Sequence, residues 1–142
     1  MCKDEQNSLP AGCRLIDIPE ARDARGALTA VEVQRQVPFP IQRIFWIHEV
    51  PEGAERGGHA HRENWQFVVP VSGAFTMIVT DGCCRRSVRL NSPHRALLIP
   101  AGIWGELKDF AKGTVVLVAA SLPYIPGGYI NTFDEYLKFK GL

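Results

Sequence analysis

Two histidines in the middle of the chain, His59 and His61, have the residue type and spacing needed to act on one ligand. On an extended chain, residues i and i+2 point to the same side, so both imidazoles can enter one cavity. There they can bind a metal ion as neutral ligands, or they can transfer protons near neutral pH. Gly57 and Gly58 allow the backbone to turn just before the pair, and Arg56 lies where it can contact an anion.

The spacing around the histidine pair resembles the first sequence motif of the cupins. That motif consists of Gly, His-x-His, Glu and Gly at set intervals. Gly53, both histidines and Gly73 occupy their expected positions, whereas Gln66 stands where the motif has glutamate. An amide is a poor replacement for a carboxylate as a metal ligand. The first motif therefore retains only its two imidazole ligands.

The second cupin motif, Pro-x-Gly followed after two residues by His, begins at Pro100 but has Gly105 in the histidine position. Half of the expected metal ligands are therefore missing. Two imidazoles alone rarely retain a transition metal, because catalytic sites of the zinc type use three protein ligands. These residues favour proton transfer with no metal and no cofactor. A polar patch left behind in a lost metal site is the alternative.

Gly and Pro interrupt the chain every eight to twelve residues, which is typical of a small sandwich or barrel. We predict an all-β fold, a cupin double-stranded β-helix (jelly roll) with a short C-terminal helix. Thr132 and Glu135 have the spacing of a capping box at the start of that helix. Within 74–80, Phe75, Met77 and Val79 alternate on one face. The predicted strands are 14–18, 28–33, 41–50, 65–71, 74–80, 84–90, 96–99 and 115–121.

The length and charge of the chain limit its possible domain organisation and its possible partners. With 142 residues it is one domain by length. We expect a loosely ordered segment over residues 1–13 and a single cupin domain over residues 14–142. The net charge of +1 argues against general attraction to nucleic acid or to an anionic membrane. There is no apolar run of roughly 18 residues, and the first fifteen residues lack the apolar middle of a secretory signal. A cytoplasmic location is therefore expected.

Four cysteines stand at positions 2, 13, 83 and 84. Adjacent Cys83 and Cys84 cannot easily bridge to each other without strain, and the spacing fits no zinc pattern. We therefore predict reduced thiols in a turn.

From about residue 23 to residue 139, the chain resembles the sugar 3,4-ketoisomerases, the WxcM-like cupins that act on dTDP-4-keto-6-deoxyglucose. The most specific part of the resemblance is Arg-Gly-x-His-Ala-His at residues 56–61. Other matching segments follow in the same order, among them 23–28, 37–47, 99–110 and 129–137. The resemblance implies a homodimer that acts without a metal on a dTDP-linked 4-keto-6-deoxyhexose in deoxysugar or aminosugar biosynthesis.

The resemblance also implies a reaction and roles for individual residues. A proton would leave carbon 3 of the hexose and a proton would return at carbon 4, moving the ketone from carbon 4 to carbon 3 through an enediol. His61 would be the main base and acid, and His59 would share or relay the proton. Arg56 would stabilise the enediolate oxygen or contact the diphosphate. The expected substrate-binding residues are Arg43, Gln66, Trp46, Trp104, Glu106 and Tyr129.

Several positions depart from the family pattern. Phe45 and Trp46 stand where tyrosines are usual, and residues 122–128 replace an acidic, tyrosine-rich stretch. A cupin that binds a sugar nucleotide without catalysis is therefore the second hypothesis, and a metal-dependent cupin enzyme is the third. His48 and His94 have no counterpart in the family, and we expect both to be surface or satisfied histidines.

Overall fold

The computed structural model describes residues 8–142, which form two five-stranded antiparallel sheets and a separate two-stranded hairpin. The strands are β1 Arg14–Asp17, β2 Glu20–Asp23, β3 Gly26–Thr29, β4 Arg43–Ile47, β5 Arg56–His61, β6 Gln66–Ser72, β7 Phe75–Thr80, β8 Arg85–Leu90, β9 Arg95–Ile99, β10 Trp104–Lys108, β11 Val115–Ala120 and β12 Tyr129–Ile130. The first sheet has the order β1-β9-β6-β11-β4, the second has the order β12-β5-β10-β7-β8, and β2 pairs with β3.

Helix α1, Phe133–Phe139, follows the last strand and confirms the predicted all-β class with a short C-terminal helix. Its N-terminus is capped as the sequence predicted, because the hydroxyl oxygen of Thr132 accepts a hydrogen bond from the Glu135 amide at 3.2 Å. Two acidic residues in the first turn also interact favourably with the helix dipole. Within residues 8–142, no helix is long and apolar enough to cross a membrane.

Four short strands, β2, β5, β10 and β12, lie outside the predicted ones. β5 and β10 show why these strands were not predicted. β5 contains Gly57 and Gly58, and β10 combines a glycine with Glu106 and Lys108, so neither shows the alternation of apolar residues that marks a strand. Sheet pairing rather than local pattern determines these segments. In contrast, the predicted strand 28–33 is too long, since β3 ends at Thr29.

The space between the two large sheets is filled by apolar side chains from the inward face of each strand. On β7 these are Phe75, Met77 and Val79, as their alternation predicted. On β9 they are Leu97 and Ile99. Each fully buried side chain of this kind stabilises the fold by roughly 1.5–3 kcal/mol relative to an exposed one. This layer forms the core below the cavity described in the next section.

The outer faces of both sheets are covered as well. On the first sheet, Phe67 and Leu98 pack with Val37 and Phe39 from the segment that precedes β4. On the second sheet, the outer cluster consists of Ala60, Trp104, Ile130 and Tyr136 of α1. β10 therefore has a covered side chain on each face, and α1 is the element that covers it from outside.

We expect Tyr136→Phe to lower the free energy of unfolding by about 1–2 kcal/mol. The buried hydroxyl of Tyr136 donates to the Gly102 carbonyl at 2.7 Å and lies 3.0 Å from the Thr80 carbonyl, and Phe would leave both acceptors without this donor. Urea unfolding measures the change. Tyr124→Phe is the control, because Tyr124 is exposed and should unfold like the native protein. Equal stability of both variants would contradict a role for the Tyr136 hydroxyl in docking α1.

Residues 8–13, part of the predicted loosely ordered segment, contact the core of the domain. Pro10 and Cys13 are buried, Leu9 packs against the core, and the Cys13 amide donates to the Pro10 carbonyl at 3.0 Å. Apolar contact with the sheets holds this segment although it belongs to no strand. Residues 1–7 of the predicted segment lie outside the described residues.

The turn before β8 contains two neighbouring cysteines, and their states differ. The carboxylate of Asp81 accepts hydrogen bonds from the amides of Cys83 and Cys84, at 2.8 and 2.7 Å, which confirms the predicted turn. Cys83 is a free, exposed thiol, as predicted. Cys84 is disulfide-bonded, so the prediction of a reduced thiol is wrong there. The strain argument excluded only a bond between the two neighbours.

Candidate active site

A cavity of about 410 Å³ opens between the two large sheets, a size typical of small-molecule sites. Its polar lining brings together most of the side chains that the sequence singled out. Its apolar lining comes from the core face of β6, β7, β10 and β11 and is nearly fully buried. The polar residues are Arg43, His48, Arg56, His59, His61, Gln66 and Tyr129, and the buried apolar ones are Val68, Met77, Leu107 and Val118.

A bulge near the start of β5 determines which way the two histidines face. The pairing between β10 and β5 shifts by one residue just after Gly105, which lies opposite His59. Gly57 and Gly58 absorb the shift with φ angles of 82° and 76°, left-handed values that residues with side chains rarely adopt. Beyond the bulge, regular alternation directs both His59 and His61 into the cavity.

Tyr129 joins the histidine pair in a cluster of three rings. β12 pairs with β5 so that Tyr129 lies directly opposite His61, and their ring centres are 4.6 Å apart. The His59 ring centre is 5.0 Å from that of His61 and 5.1 Å from that of Tyr129. Two imidazoles and a phenol within this distance of one another can exchange protons with one ligand.

Arg43 brings a positive charge to this cluster and is held in place by aromatic side chains. Its Nη1 donates to the Tyr129 hydroxyl at 3.4 Å. Its guanidinium carbon lies 4.5 Å from the centre of the Phe45 ring and 5.3 Å from that of Tyr124. Such cation–π contacts restrict the guanidinium without neutralising it. The charge is therefore positioned before any ligand arrives.

The histidine pair is electrostatically biased toward its neutral form. Burial, the neighbouring His59 and the Arg43 guanidinium together lower the pKa of His61 to about 4. Burial also lowers the pKa of His59, although a hydrogen bond with the Gly57 backbone partly offsets this. Both imidazoles are therefore neutral at pH 7 and able to accept a proton.

His61 also has a buried nitrogen with no partner. Only 7% of the residue is exposed, and its Nε2 makes no hydrogen bond with the part of the chain that the structure describes. An unpaired buried polar atom is unfavourable for stability. Because this atom belongs to a cavity-lining side chain, a ligand or a water molecule in the cavity can satisfy it.

The low pKa of His61 leads to a prediction about pH. If neutral His61 is the base, kcat/KM should fall on the acidic side with a midpoint near pH 4, rather than near the ordinary histidine value of 6.5. Below that pH the imidazole is protonated and cannot accept a proton. Initial rates from below pH 4 up to pH 8 measure the profile. An acidic midpoint at 6.5 would contradict the assignment of the neutral buried imidazole as base.

A second, smaller cavity of about 230 Å³ adjoins the first and shares Arg43, His61 and Tyr129 with it. Its remaining wall includes Leu122 and Gly127, from the segment that departs from the family pattern. The rings of His61 and Tyr129 thus lie between the two cavities. A ligand at His61 can extend into either of them.

Arg56 and Gln66 line the main cavity and are placed to contact a ligand there. Trp46 borders it too, but alternation along β4 turns its side chain to the opposite face, where Trp46 is 60% exposed. It pairs there with Leu117, which packs against the outer cluster. The side chain of Trp46 is therefore mostly exposed at the border of the cavity, and its contact with substrate stays a prediction.

Trp104 and Glu106 do not line the main cavity, although both were predicted to contact substrate. They alternate with Gly105 along β10 and so face away from the cavity. Trp104 is buried in the outer cluster beside Tyr136. Glu106 forms an ion pair with Arg85 at 3.2 Å. The structure therefore places neither side chain in the main cavity, and their contacts with substrate stay untested predictions.

Sequence reasoning missed three residues of the site. Phe45 and Tyr124 hold Arg43, and Met77 contributes to the cavity wall. Alternation from Arg43 could have identified Phe45, and alternation along β7 placed Met77 on the inward face, whereas Tyr124 carried no signal. His48 lines the cavity as well, although its Nδ1 lies 3.1 Å from the carboxylate of Glu49, as a satisfied histidine would.

Only two imidazoles of the predicted cupin ligand set enter the cavity, with the amide of Gln66 in place of a carboxylate. Among residues 8–142, no group of three or more His, Cys, Asp or Glu side chains is arranged to hold a metal ion.

Comparison with known proteins finds similarity over most of the chain. The family model FdtA, described as WxcM-like, C-terminal, matches residues 11–141. The TDP-4-oxo-6-deoxy-alpha-D-glucose-3,4-oxoisomerase of Aneurinibacillus thermoaerophilus is 32% identical over 126 residues, which covers 89% of this chain and 91% of the relative.

Two solved structures are also similar. A 3,4-ketoisomerase from Helicobacter canadensis is 32% identical, with a TM-score of 0.89 over 92% of this chain and 98% of the other. A mutant of the 3,4-ketoisomerase QdtA from Thermoanaerobacterium thermosaccharolyticum, in complex with TDP-4-keto-6-deoxyglucose, is 29% identical. Its TM-score is 0.90, over 93% of this chain and 96% of the other.

Proposed function

Because the chain belongs to the FdtA family of WxcM-like domains, we propose that it is a sugar nucleotide 3,4-ketoisomerase. Its proposed substrate is TDP-4-keto-6-deoxyglucose, the compound held by the Thermoanaerobacterium relative. The observation that carries the proposal is the pair of neutral, buried imidazoles in a cavity that also contains a positioned cation. Proton transfer next to a carbonyl requires such a combination of base and charge.

The first half of the reaction forms the enediol. His61 takes the proton from carbon 3, and the ketone oxygen on carbon 4 gains a proton. Neutral His61 suits this role because its unpartnered Nε2 can accept the proton without first breaking a hydrogen bond. A positioned base of this kind typically contributes about 10²–10⁴-fold to the rate.

The second half places the ketone on carbon 3. The hydroxyl on carbon 3 loses its proton, and carbon 4 gains one, so that atoms and charge balance over the whole isomerisation. His59 is the proposed residue for sharing or relaying protons, because its ring is 5.0 Å from that of His61 and its own pKa is also lowered. Tyr129, which contacts both rings, is a further donor for an oxygen of the hexose.

The two arginines that line the cavity, Arg43 and Arg56, have different proposed roles. Arg43 lies beside the ring cluster and would stabilise the enediolate oxygen as negative charge develops there. Arg56 is exposed at the start of β5 and lines the cavity, which suits a contact with the diphosphate. Gln66 would hydrogen-bond a sugar hydroxyl.

Proton NMR with TDP-4-keto-6-deoxyglucose in deuterated water, using chelator-treated protein, tests the proposed function. We expect the 3-keto sugar to appear with deuterium at carbon 4, since that position receives its hydrogen from groups that exchange with solvent. Absence of product and exchange, with TDP still bound, would favour a cupin that binds without catalysis. Activity that returns only after a divalent metal is added would favour a metal-dependent enzyme.

We also propose that the enzyme is a cytoplasmic homodimer. Exposed apolar side chains on β3 and β4 support a surface for a second copy, with Leu28 64%, Ile44 54% and Trp46 60% exposed. A sugar nucleotide carries charges that are costly to move through a bilayer, which supports a location in the compartment where nucleotides are made. Light scattering of the purified protein measures its mass in solution and tests the dimer.

A further inference from the structure

Met77 occupies a space in the cavity wall that a neighbouring glycine leaves open. Gly105 and Met77 lie on adjacent strands and on the same inward face, because β10 pairs with β7 in the register Gly105 opposite Val79 and Leu107 opposite Met77. A Cβ atom added to Gly105 would lie 2.7 Å from the terminal methyl carbon of Met77. The thioether end of Met77 therefore covers Gly105 and lines the cavity in its place.

This apolar surface lies beside the histidine pair. Gly105 is also the register partner of His59 on the other side of β10. Met77, which covers Gly105, is thus close to the imidazoles on the inward face. Val68, Leu107 and Val118 continue the apolar wall, and each is nearly fully buried. The polar side chains of the cavity offer no such surface.

The proposed substrate has a group that fits this wall. A 6-deoxyhexose carries a methyl group on carbon 5, and that methyl is only two bonds from carbon 4, one of the two reacting carbons. When carbons 3 and 4 lie at the histidines, the methyl must lie close by. A methyl group gains by contact with apolar side chains, whereas a hydroxymethyl group would lose hydrogen bonds to water there.

We propose that Met77 is a specificity-determining residue, whose thioether methyl, seated over Gly105, selects a methyl over a hydroxymethyl group on carbon 5 of the hexose. This inference rests on the proposed function only in placing the hexose at the histidines. It predicts that the native protein binds TDP-6-deoxyglucose about 10-fold more tightly than TDP-glucose, the range expected for a small change in an apolar pocket.

Isothermal titration calorimetry with these two sugar nucleotides tests the proposal without catalysis. Met77→Gln keeps the length of the side chain but makes its end polar. In this variant the ratio of the two dissociation constants should fall to near one. Met77→Leu should retain it. Val79→Thr is a matched control, because Val79 is equally buried on β7 but does not line the cavity, and its preference should equal that of the native protein. TDP alone serves as the reference ligand for a folded protein.

A second variant tests the contact with Gly105. In Gly105→Ala, the new methyl group must displace the end of Met77 toward the cavity, so TDP-6-deoxyglucose should bind more weakly while TDP is unaffected. Combining it with Met77→Leu, whose side chain is shorter at its end, should restore part of the affinity. Strictly additive effects in the double variant would mean that the two residues do not share one space.

Three outcomes would overturn the proposal. The first is equal affinity of the native protein for the two sugar nucleotides, and the second is an unchanged preference in Met77→Gln. The third is a change in Met77→Gln of the preference for TDP over dUDP instead, which would show that the wall contacts the methyl group of thymine. The native protein's turnover of the keto sugar is measured separately. Lack of turnover with an intact 6-deoxy preference would refute the isomerase and leave the role of Met77 standing.

Discussion

Replacing His61 by Asn is expected to lower kcat by about 10³-fold or more while TDP still binds. Asn cannot take a proton from carbon 3, and the amide is small enough to leave the cavity walls in place. His61 carries the larger effect of the two histidines because it is the more buried, has the unpartnered Nε2 and has its pKa lowered to about 4. Turnover is followed by NMR and TDP binding by calorimetry.

His94→Asn is the matched control for this experiment. His94 is half exposed, its Nε2 lies 3.4 Å from the Glu20 carboxylate, and it does not line the main cavity. The control should behave like the native protein in both assays. A His61→Asn variant that turns over substrate at the native rate would remove His61 from the mechanism. A variant that no longer binds TDP would show that His61 mainly shapes the ligand site.

The second large effect is expected for Arg43→Met, which should reduce kcat/KM by about 10²–10³-fold. The variant removes the charge that would face the enediolate and the donor to the Tyr129 hydroxyl. It should also raise the pKa of His61, because the Arg43 guanidinium is one of the causes that lower it. The acidic midpoint of the pH profile should therefore move to higher pH.

Two further variants separate charge from position. Arg43→Lys keeps the charge but loses the planar group that lies over Phe45 and Tyr124. It should therefore have a pH profile close to that of the native protein but a lower rate. Arg95→Met is the control, because Arg95 is exposed and pairs with the Asp17 carboxylate at 3.4 Å, away from the main cavity. If Arg43→Met changes neither the rate nor the pH profile, Arg43 has no electrostatic role at His61.

That the two histidines share one face could be predicted, because this depends on local geometry alone. Residues two apart on a strand share a face, so His59 and His61 had to meet one cavity together. The partner of the pair could not be predicted in this way. Tyr129 reaches His61 because β12 pairs with β5 in one particular register, and register depends on the whole sheet.

The positions of Trp104 and Glu106 away from the main cavity could not be predicted for a similar reason. Resemblance to a family identifies a segment, but only strand pairing shows which face each residue occupies. β10 was not recognised as a strand, and the bulge opposite it shifts the register, so the alternation could not be followed from His59. For Met77 the direction of the side chain could be predicted, but its place in the cavity wall could not. Its inward direction was predicted correctly, but core and cavity share one apolar face, and alternation cannot distinguish them.

The shared space of Met77 and Gly105 also bears on how such a site can change over generations. A mutation that gives position 105 a side chain meets the end of Met77 at once. A mutation that first shortens residue 77 meets no such obstacle. Shortening at 77 is therefore the permissive step, and descendants that acquire a side chain at 105 should already carry a shorter residue at 77. The two positions are expected to covary, in that order, when new sugar preferences evolve on this fold.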